Sequence, residues 1–538
     1  MVFARRSTTL LAAIIASCAM VLSLTACTSD NKTVVDGQTT VTSNSAGGVA
    51  VFTPSDGITL NQQTPLNKWA KLVPDLAKAL ADAGFKKGDI DHTTSDSLAK
   101  QSRAIQDFVV DHLSNNTTDD SGIAIAPDNM TLLVAPVVEA DASTRQYGDY
   151  VSQNLSTNDV TDEGATSDGE SSEDDSSNTE SDSTASDEQA QAVDRLVSSL
   201  KLAKESGMHV VLLGNSIEGY KPDAFVKFSD AQTIGKLQAE KMVSKLKLDK
   251  ASKDNPKYIE VLLPYTAVDE KGNANDSTFA QEAFRGIWQV LGSYYQKGVV
   301  ESPSGTLDGK STENDWQAVA YDAAKEGSTA KVLDKRLAKT DGQSTLTRID
   351  GIITMNDYIA SEVVKELDDL GYTGSAADIN PQITISGIVG NITGKKDLSR
   401  DAVPDPIKSP ENDNANDSSS SDDDADEDTS ASDKDRDSQW PLVTGYGAYV
   451  SNIPSIVNGK QWMTGMEDRQ TIATDIAQAC AKLNKDEALN SMPSIRNSEV
   501  GGVKKIPTIS EPLLAVSASN LKSALIDPGY ISLADAGL

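Results

Sequence analysis

The sequence predicts an α/β protein that has two doubly wound parallel-sheet lobes and long disordered acidic insertions. Short apolar runs alternate with helical patterns of about 12–20 residues, which is typical of buried parallel strands with helices on both faces. The 538 residues are too many for one such sheet, so two lobes are the economical interpretation. Two segments rich in Ser and Asp interrupt the alternation.

Residues 1–27 have the features of an export signal. Two arginines precede a mostly apolar run over residues 9–24, which is shorter than the ~20 apolar residues of a membrane-spanning helix. The run ends in Leu-Thr-Ala-Cys at Cys27, which resembles a bacterial lipobox and implies cleavage before Cys27 and lipidation of its sulfur. An ordinary signal peptide that happens to contain this cysteine is the alternative. We expect residues 28–47 to be a disordered tether.

The charge of the chain is strongly acidic and unevenly distributed. Lys and Arg number 48 against 80 Asp and Glu, a net charge of −32, which argues against binding of nucleic acid. Residues 149–188 hold 13 acidic residues and no basic one, and residues 401–438 hold 14 acidic and three basic residues. Both segments have few large apolar side chains, so we expect them to be disordered insertions.

Cysteine and histidine are scarce, which limits the chemistry that the chain can perform. The sequence has three cysteines, which are too few for a disulfide scaffold. It also has three histidines. Only Cys480 would remain once Cys18 is removed and Cys27 is lipidated, and we expect it to be buried in a helix. No Ser-His-Asp order, P-loop or paired-His motif is present. We therefore expect no enzymatic activity, no metal and no cofactor.

Apolar periodicity places the elements in order along the chain. Strands are predicted over 48–52, 131–138, 208–214, 258–264, from 299, 351–354 and 382–387. Helices are predicted over 66–84, 98–113, 189–206, 231–247, 277–297, 315–337 and 357–370. Ligands of open parallel sheets bind beyond the carboxyl ends of the strands, so residues that follow strands are the candidates for a site.

Three stretches of the second half carry a resemblance to a known family. Residues 351–372 contain a strand, Asn-Asp and a helix ending in Gly-Tyr; residues 441–464 contain a strand, a Thr-Gly loop and Gly-Lys-Gln-Trp-Met-Thr; residues 506–530 form a tail. Their order resembles type I periplasmic-binding proteins, in particular sugar-binding lipoproteins of ABC transporters. The first half matches more loosely, through Trp69 and two apolar strands.

This resemblance implies two lobes joined by a three-crossing hinge that closes on a ligand. The implied crossings lie near 214–224, 464–467 and 500–506. The implied lobes comprise residues 48–215 with 466–500 (lobe 1, insertion 149–188) and residues 222–465 with 501–538 (lobe 2, insertion 401–438).

The resemblance also implies a set of ligand contacts. Sugar recognition needs planar polar side chains for the hydroxyls and an aromatic face for the C–H side of the ring. Trp69 matches the aromatic residue after the first strand, and Asn356 and Asp357 match the Asn-Asp pair of the second lobe. Trp69 as a core residue and Asp357 as a helix N-cap are the alternatives.

Other positions depart from the pattern of the family. Asn215 stands where the family usually has Asp, Phe279 occupies an expected polar position, and Gly447 replaces an Asp that grips hydroxyls. Losing two carboxylates removes hydrogen bonds worth ~1.5–3 kcal/mol each. Either the ligand is not a plain monosaccharide, or Asn215, Tyr446 and Trp462 rebuild the site.

The function implied by the resemblance is capture of a small polar ligand outside the cytoplasm. We expect a monomeric lipoprotein, anchored to the cell membrane by its acyl chain, that delivers a small-molecule ligand, a sugar, to an ABC permease. The alternative is a sensory or interaction lipoprotein that retains the fold with a diverged site. DNA-binding repressors share the fold but carry a helix-turn-helix where this chain has an export signal.

Overall fold

Two parallel sheets organise the chain. The computed structural model describes residues 46–55, 65–115, 125–138, 146–156, 180–268, 275–338, 346–376 and 440–538. The strands are β1 (Gly48–Pro54), β2 (Ile90–Ser95), β3 (Met130–Val134), β4 (Asn154–Leu155), β5 (His209–Leu213), β6 (Ser216–Ile217), β7 (Ala224–Lys227), β8 (Lys257–Val261), β9 (Leu263–Pro264), β10 (Val300–Glu301), β11 (Ala320–Tyr321), β12 (Gly351–Ile353), β13 (Leu442–Thr444), β14 (Met463–Met466), β15 (Ile495–Val500), β16 (Val503–Ser510) and β17 (Leu514–Ser517).

The helices lie mostly between consecutive strands, as a doubly wound fold requires. They are α1 (Trp69–Asp82), α2 (Leu98–Asn115), α3 (Glu180–Glu205), α4 (Ala231–Leu246), α5 (Thr278–Gln296), α6 (Trp316–Val319), α7 (Ser328–Arg336), α8 (Asp357–Asp369), α9 (Ile453–Val457) and α10 (Arg469–Leu483).

The first lobe is built on a seven-stranded sheet in the order β15-β16-β7-β5-β3-β1-β2. Its strand pairs are parallel except the β15–β16 hairpin. Val49 of β1 lies opposite Ile90 of β2 and Thr131 of β3, which sets the register of these three strands.

Alternating side chains of the first sheet pack on helices at both faces. Val211 and Leu213 belong to a core cluster that also contains apolar residues of α1 and α10. Val210 and Leu212, one residue out of step, belong to a second cluster with apolar residues of α2 and α3. The first lobe is therefore doubly wound, as predicted.

The second lobe is built on a parallel sheet in the order β10-β8-β12-β13, with β9 and β11 paired beside it. Apolar residues of α4, α5, α7 and α8 share one core with these strands. Inside that core Glu260 of β8 is fully buried and pairs with Arg336, Nη1 to Oε2 at 3.3 Å. The predicted α/β class with two parallel-sheet lobes is confirmed.

Two of the three passages between the sheets lie at other positions than the predicted ones. β7 pairs with β5 and β16 pairs with β7, so residues 224–227 and 503–510, predicted in lobe 2, belong to the first sheet. The chain passes between the sheets after β7, after β14 and after β16. The boundaries were misplaced because β7 is only four residues long and because the Gly501-Gly502 turn returns β16 to β15 as a hairpin.

Other element predictions differ in detail. The predicted helix 315–337 is instead α6, β11 and α7, because Gly327 precedes α7 with φ 69°, a left-handed conformation that ends a continuous helix. The predicted strand 131–138 ends at Val134, before Pro136. β2 was not predicted, since its residues are polar and largely exposed at the sheet edge.

The predicted disorder over 149–188 is wrong for the part of the segment that is described. Tyr150 is 1% exposed, β4 begins directly after Gln153, and α3 begins at Glu180. Ala46, placed in the tether, is buried. Cys480 is buried in α10, as predicted. The signal peptide with Cys27, most of the tether, the predicted strand 382–387 and the segment 401–438 lie outside the described residues.

A search of the described residues for a membrane-spanning helix finds none with sufficient length and apolar character.

Close packing of α4 on α5 depends on two glycines. A Cβ on Gly235 would overlap the Ala283 carbonyl oxygen, and one on Gly286 would overlap that of Gln232. We predict that Gly286→Ala lowers the free energy of unfolding by ~1–3 kcal/mol, because the helices must separate. Denaturant unfolding measures this. Gly309→Ala, whose Cβ would meet its nearest atom at 3.4 Å, should change stability by less than ~0.5 kcal/mol; equal effects would contradict the packing argument.

Candidate functional site

Polar and aromatic residues follow the carboxyl ends of strands in both sheets. Asn215 comes two residues after β5 and Ser229 two residues after β7 in the first lobe. Asn356 comes three residues after β12 and Tyr446 two residues after β13 in the second lobe. All four side chains are buried. The carboxyl ends of parallel strands are where open α/β sheets bind their ligands.

Tyr446 connects the two lobes through its hydroxyl group. Asn67 donates from Nδ2 to the Tyr446 oxygen at 3.0 Å, and the Ser229 hydroxyl makes a short hydrogen bond with the same oxygen. The Tyr446 hydroxyl donates to Glu467 Oε1 at 3.4 Å. Burial and the nearby Glu467 carboxyl raise the pKa of Tyr446 well above its ordinary value. The phenol therefore stays neutral and keeps its proton for donation.

Glu467 completes this network at the second passage between the sheets. Its Oε1 accepts from the Ser229 backbone N–H at 2.6 Å, and its own N–H donates to Asn67 Oδ1 at 3.4 Å. The residue is 1% exposed, and burial raises the pKa of its carboxyl to about 7. We call these four residues, Asn67, Ser229, Tyr446 and Glu467, the polar junction.

An aromatic cluster lies on the first-lobe side of the polar junction. The ring centroid of Trp69 is 5.1 Å from that of Tyr150 and 5.8 Å from that of Phe228, both edge-to-face. Tyr150 stacks on Phe228 at 4.8 Å. Trp69 is 3% exposed and belongs to the core of the first lobe, so it contacts protein aromatic rings rather than open solvent.

A second aromatic contact lies on the side of the second lobe. The ring centroid of Tyr147 is 4.8 Å from that of Phe279 and 6.3 Å from that of Tyr446. Tyr147 is 1% exposed, whereas Phe279 is half-buried at the start of α5. Tyr147 thus packs against two of the predicted ligand residues, Phe279 and Tyr446.

Tyr147 and Tyr150 belong to one stretch of chain, residues 146–153, which we call the bridging segment. At its start, Gln146 Oε1 accepts from Asn356 Nδ2 at 3.1 Å, and its carbonyl oxygen accepts from the Tyr449 hydroxyl at 2.7 Å. These are contacts with the second lobe.

The rest of the bridging segment is bonded to the first lobe. Asp149 accepts from Lys68 Nζ and from the Trp69 N–H, each at 3.0 Å. The Gln153 N–H donates to Asn215 Oδ1 at 3.0 Å, while Asn215 Nδ2 donates to the Pro136 carbonyl at 2.9 Å. β4 then pairs in parallel with β6. The segment therefore runs from one lobe to the other across the strand ends.

The Asp357 side chain is hydrogen-bonded to residues of the second lobe. Its carboxylate accepts from the Tyr449 N–H at 2.9 Å, Gln461 Nε2 at 2.7 Å and Thr464 Oγ1 at 2.9 Å, and burial raises its pKa to about 6. The N-cap alternative is wrong, because Asn356 caps α8 by accepting from the Ile359 N–H. Asp357 holds together the loops that carry the neighbouring site residues.

The structure brings five of the seven predicted ligand residues into contact with the bridging segment. They are Trp69, Asn215, Phe279, Asn356 and Tyr446. Trp462 is 7% exposed in the core of the second lobe, with its indole N–H lacking a hydrogen-bond partner within the described structure. Whether these side chains contact a ligand stays a prediction.

Sequence reasoning missed several residues of this region. Ser229 follows a strand end, but β7 was not recognised as a strand. Glu467 follows β14 at a passage that was placed correctly, and a carboxyl group at a hinge was a usable signal. Tyr147 and Tyr150 flank the start of the acidic stretch, and two tyrosines among polar filler were the sign that this part is packed.

Metal binding gains no support here, because the described residues include no group of three or more His, Cys, Asp or Glu side chains that could hold an ion.

The chain is similar in fold to several solved structures. No family model and no curated protein matches the chain. An ABC transporter solute-binding protein from Clostridium phytofermentans with bound β-D-glucose is 17% identical, with TM-score 0.44 and coverage of 91% of this chain and 99% of that one.

Two further solved structures are similar in the same way. A carbohydrate transporter solute-binding protein from Chloroflexus aurantiacus in complex with D-glucose is 19% identical, with TM-score 0.43 and coverage of 92% and 98%. An arabinose-binding protein from Geobacillus stearothermophilus is 10% identical, with TM-score 0.42 and coverage of 89% and 99%.

The buried carboxyl group of the polar junction predicts a pH dependence of stability. Folding raises the pKa of Glu467 from 4.5 to about 7, so the folded state holds this proton more tightly. Its stabilising contribution is full below about pH 4.5 and is lost as the pH rises through about 7. We predict that the free energy of unfolding of the wild type falls between pH 5 and pH 8, and that Glu467→Gln makes this fall ~1–3 kcal/mol smaller. Urea unfolding across this pH range measures the difference.

The control is Glu499→Gln, at an exposed position of β15. Its pH profile should follow the wild type. A Glu467→Gln profile parallel to the wild type would show that this carboxyl does not titrate in the folded range.

Proposed function

We propose that the chain is a solute-binding protein that acts outside the cytoplasm and captures a small polar ligand, a sugar, between its two lobes. The observation that carries the proposal is the convergence of buried polar and aromatic side chains from the carboxyl ends of both parallel sheets, around Tyr446. A site divided between two lobes binds by closure, because a ligand that contacts both lobes stabilises the closed state more than the open one.

The chemistry of the residues fits a polyhydroxylated ligand. The amide groups of Asn215 and Asn356 each offer both donors and an acceptor, which suits hydroxyl groups that donate and accept. The half-buried ring of Phe279 supplies an apolar face for the C–H side of a sugar. Asp357 positions the loops beside Asn356 and does not need to contact the ligand itself.

The finer parts of the proposal concern location and partners. Cleavage before Cys27 and lipidation of its sulfur would anchor the chain to the outer surface of the cell membrane. From there the closed, ligand-bound monomer would deliver its ligand to an ABC permease. In this proposal the protein binds and releases its ligand without changing it chemically.

Thermal unfolding in the presence of sugars tests the proposal. We predict that D-glucose, L-arabinose or myo-inositol raises the melting temperature, and a ligand at 100 times its Kd adds ~2.7 kcal/mol of stability. Phe279→Ala should weaken binding about three- to tenfold, because a ring face is lost. Phe108→Ala removes a half-buried ring on α2 and should leave the affinity unchanged.

A response to nucleosides or peptides but to no sugar would overturn the ligand class. Equal losses of affinity in Phe279→Ala and Phe108→Ala would contradict a ligand site at Phe279 between the two lobes.

A further inference from the structure

We propose that Glu467 is a proton switch between the two lobes: in its protonated form it holds the lobes together around a ligand, and its ionisation favours their separation. This inference rests on the proposed function and concerns the regulation of the same site. It follows from where Glu467 lies, which groups bond its carboxyl group, and how the charged side chains around it are paired.

Glu467 lies directly after β14, where the chain passes between the sheets, and is 1% exposed. Its Oε1 accepts from the Ser229 N–H at 2.6 Å, on the side of the first lobe, and from the Tyr446 hydroxyl at 3.4 Å, on the side of the second. Asn67 of the first lobe bonds both the Glu467 N–H and the Tyr446 oxygen. Groups from both lobes thus bury the carboxyl, and moving Tyr446 away from Ser229 would bring water to it.

The groups that bond the carboxyl of Glu467 are neutral. A backbone N–H and a phenol do not replace the hydration of a carboxylate, and burial raises the pKa of Glu467 to about 7. In contact with water the same group would return toward its ordinary pKa of 4.5. Closure of the lobes therefore takes up a proton. The resulting stabilisation of the closed state is full below about pH 4.5 and is lost as the pH rises through about 7.

The charged side chains next to Glu467 and its partners along the chain are bonded elsewhere. Three cations form ion pairs: Lys68 with Asp149 at 3.0 Å, Lys227 with Asp230 at 2.8 Å and Arg469 with Asp75 at 2.5 Å. Asp468 caps α10 through the Thr471 N–H. After burial, the charge of Asp230 is a further cause that raises the pKa of Glu467. Within the described structure no cation bonds this carboxyl, so ionisation leaves a buried charge that only neutral groups bond.

A second buried carboxyl group, that of Asp357, has a different position. Burial raises its pKa to about 6, so it titrates in a similar range. Its bonds with the Tyr449 N–H, Gln461 and Thr464 lie within the second lobe. Separation of the lobes leaves these bonds in place, so we expect no proton uptake by Asp357 on closure. The position between the lobes, and not burial alone, distinguishes Glu467.

Glu467→Gln in the full chain tests the switch, and Glu499→Gln, at an exposed position of β15, is the matched control. Calorimetric titration with D-glucose and with myo-inositol at pH 5 and pH 8 measures affinity. Titration at pH 6 in two buffers of different ionisation enthalpy measures proton uptake. We expect the wild type and the control to bind at least about tenfold more tightly at pH 5 than at pH 8 and to take up about 0.5–1 proton per ligand. Glu467→Gln, which cannot ionise, should show neither effect.

Small-angle X-ray scattering without sugar measures lobe separation independently of the ligand. We expect the radius of gyration of the wild type and of Glu499→Gln to be larger at pH 8 than at pH 5, and this difference to be smaller in Glu467→Gln. All three proteins share the same acidic segments, so any effect of pH on those segments cancels in the comparison.

The outcomes separate the switch from the ligand class. Sugar binding with the same pH dependence in wild type and Glu467→Gln overturns the switch and leaves the proposed function standing. An equal change of radius in the two proteins also overturns the switch, whatever the affinities. A change of radius that Glu467→Gln removes, without any sugar binding, supports the switch and overturns the sugar class. No sugar binding and no change of radius with pH overturn both.

Tyr446→Phe keeps the inference testable if Glu467→Gln does not fold, which circular dichroism reveals. This change removes the hydroxyl group that donates to Glu467 Oε1. Because that bond favours the ionised carboxyl, its loss should move the midpoint of the pH-dependent change of radius to higher pH, by about 0.4 or more. A midpoint that stays in place or moves to lower pH in a folded Tyr446→Phe protein overturns the inference.

Discussion

The polar junction is the constraint on which the arrangement of the two lobes depends. Buried polar groups must be hydrogen-bonded, because leaving one unsatisfied costs ~1–3 kcal/mol. Within the part of the chain that the structure describes, the Tyr446 hydroxyl satisfies this requirement through Asn67, Ser229 and Glu467. These partners come from the first lobe and from two of the passages between the sheets, so the network fixes where the strand ends of one sheet face those of the other.

The same constraint extends along the contact between the lobes. The polar junction, with its one buried carboxyl group, joins the lobes at Tyr446, which the bridging segment also contacts. Asp357 performs a similar task within the second lobe, where it binds the Tyr449 N–H, Gln461 and Thr464.

The sequence predicts much of the fold because most strands are short apolar runs and most helices are strongly periodic. β5 and α8 were located almost to the residue for this reason. β7 is too short and β2 too polar to be recognised without the neighbours that they pair with. The bridging segment was hidden by composition, since Tyr147 and Tyr150 adjoin an acidic stretch, and their burial depends on Trp69 and Phe279, which are distant in sequence. Long-range contacts of this kind have no local signal.

A double-mutant cycle between Ser229→Ala and Tyr446→Phe tests the polar junction most directly. Each change removes one of the two hydroxyl groups that form the hydrogen bond between Ser229 and Tyr446. Urea unfolding of the wild type, both single variants and the double variant gives the coupling free energy between the two residues. The account predicts a coupling of at least ~1 kcal/mol, and additivity for Tyr446→Phe with Ser199→Ala, a buried serine of α3. Additivity of Ser229→Ala and Tyr446→Phe within ~0.3 kcal/mol would contradict it.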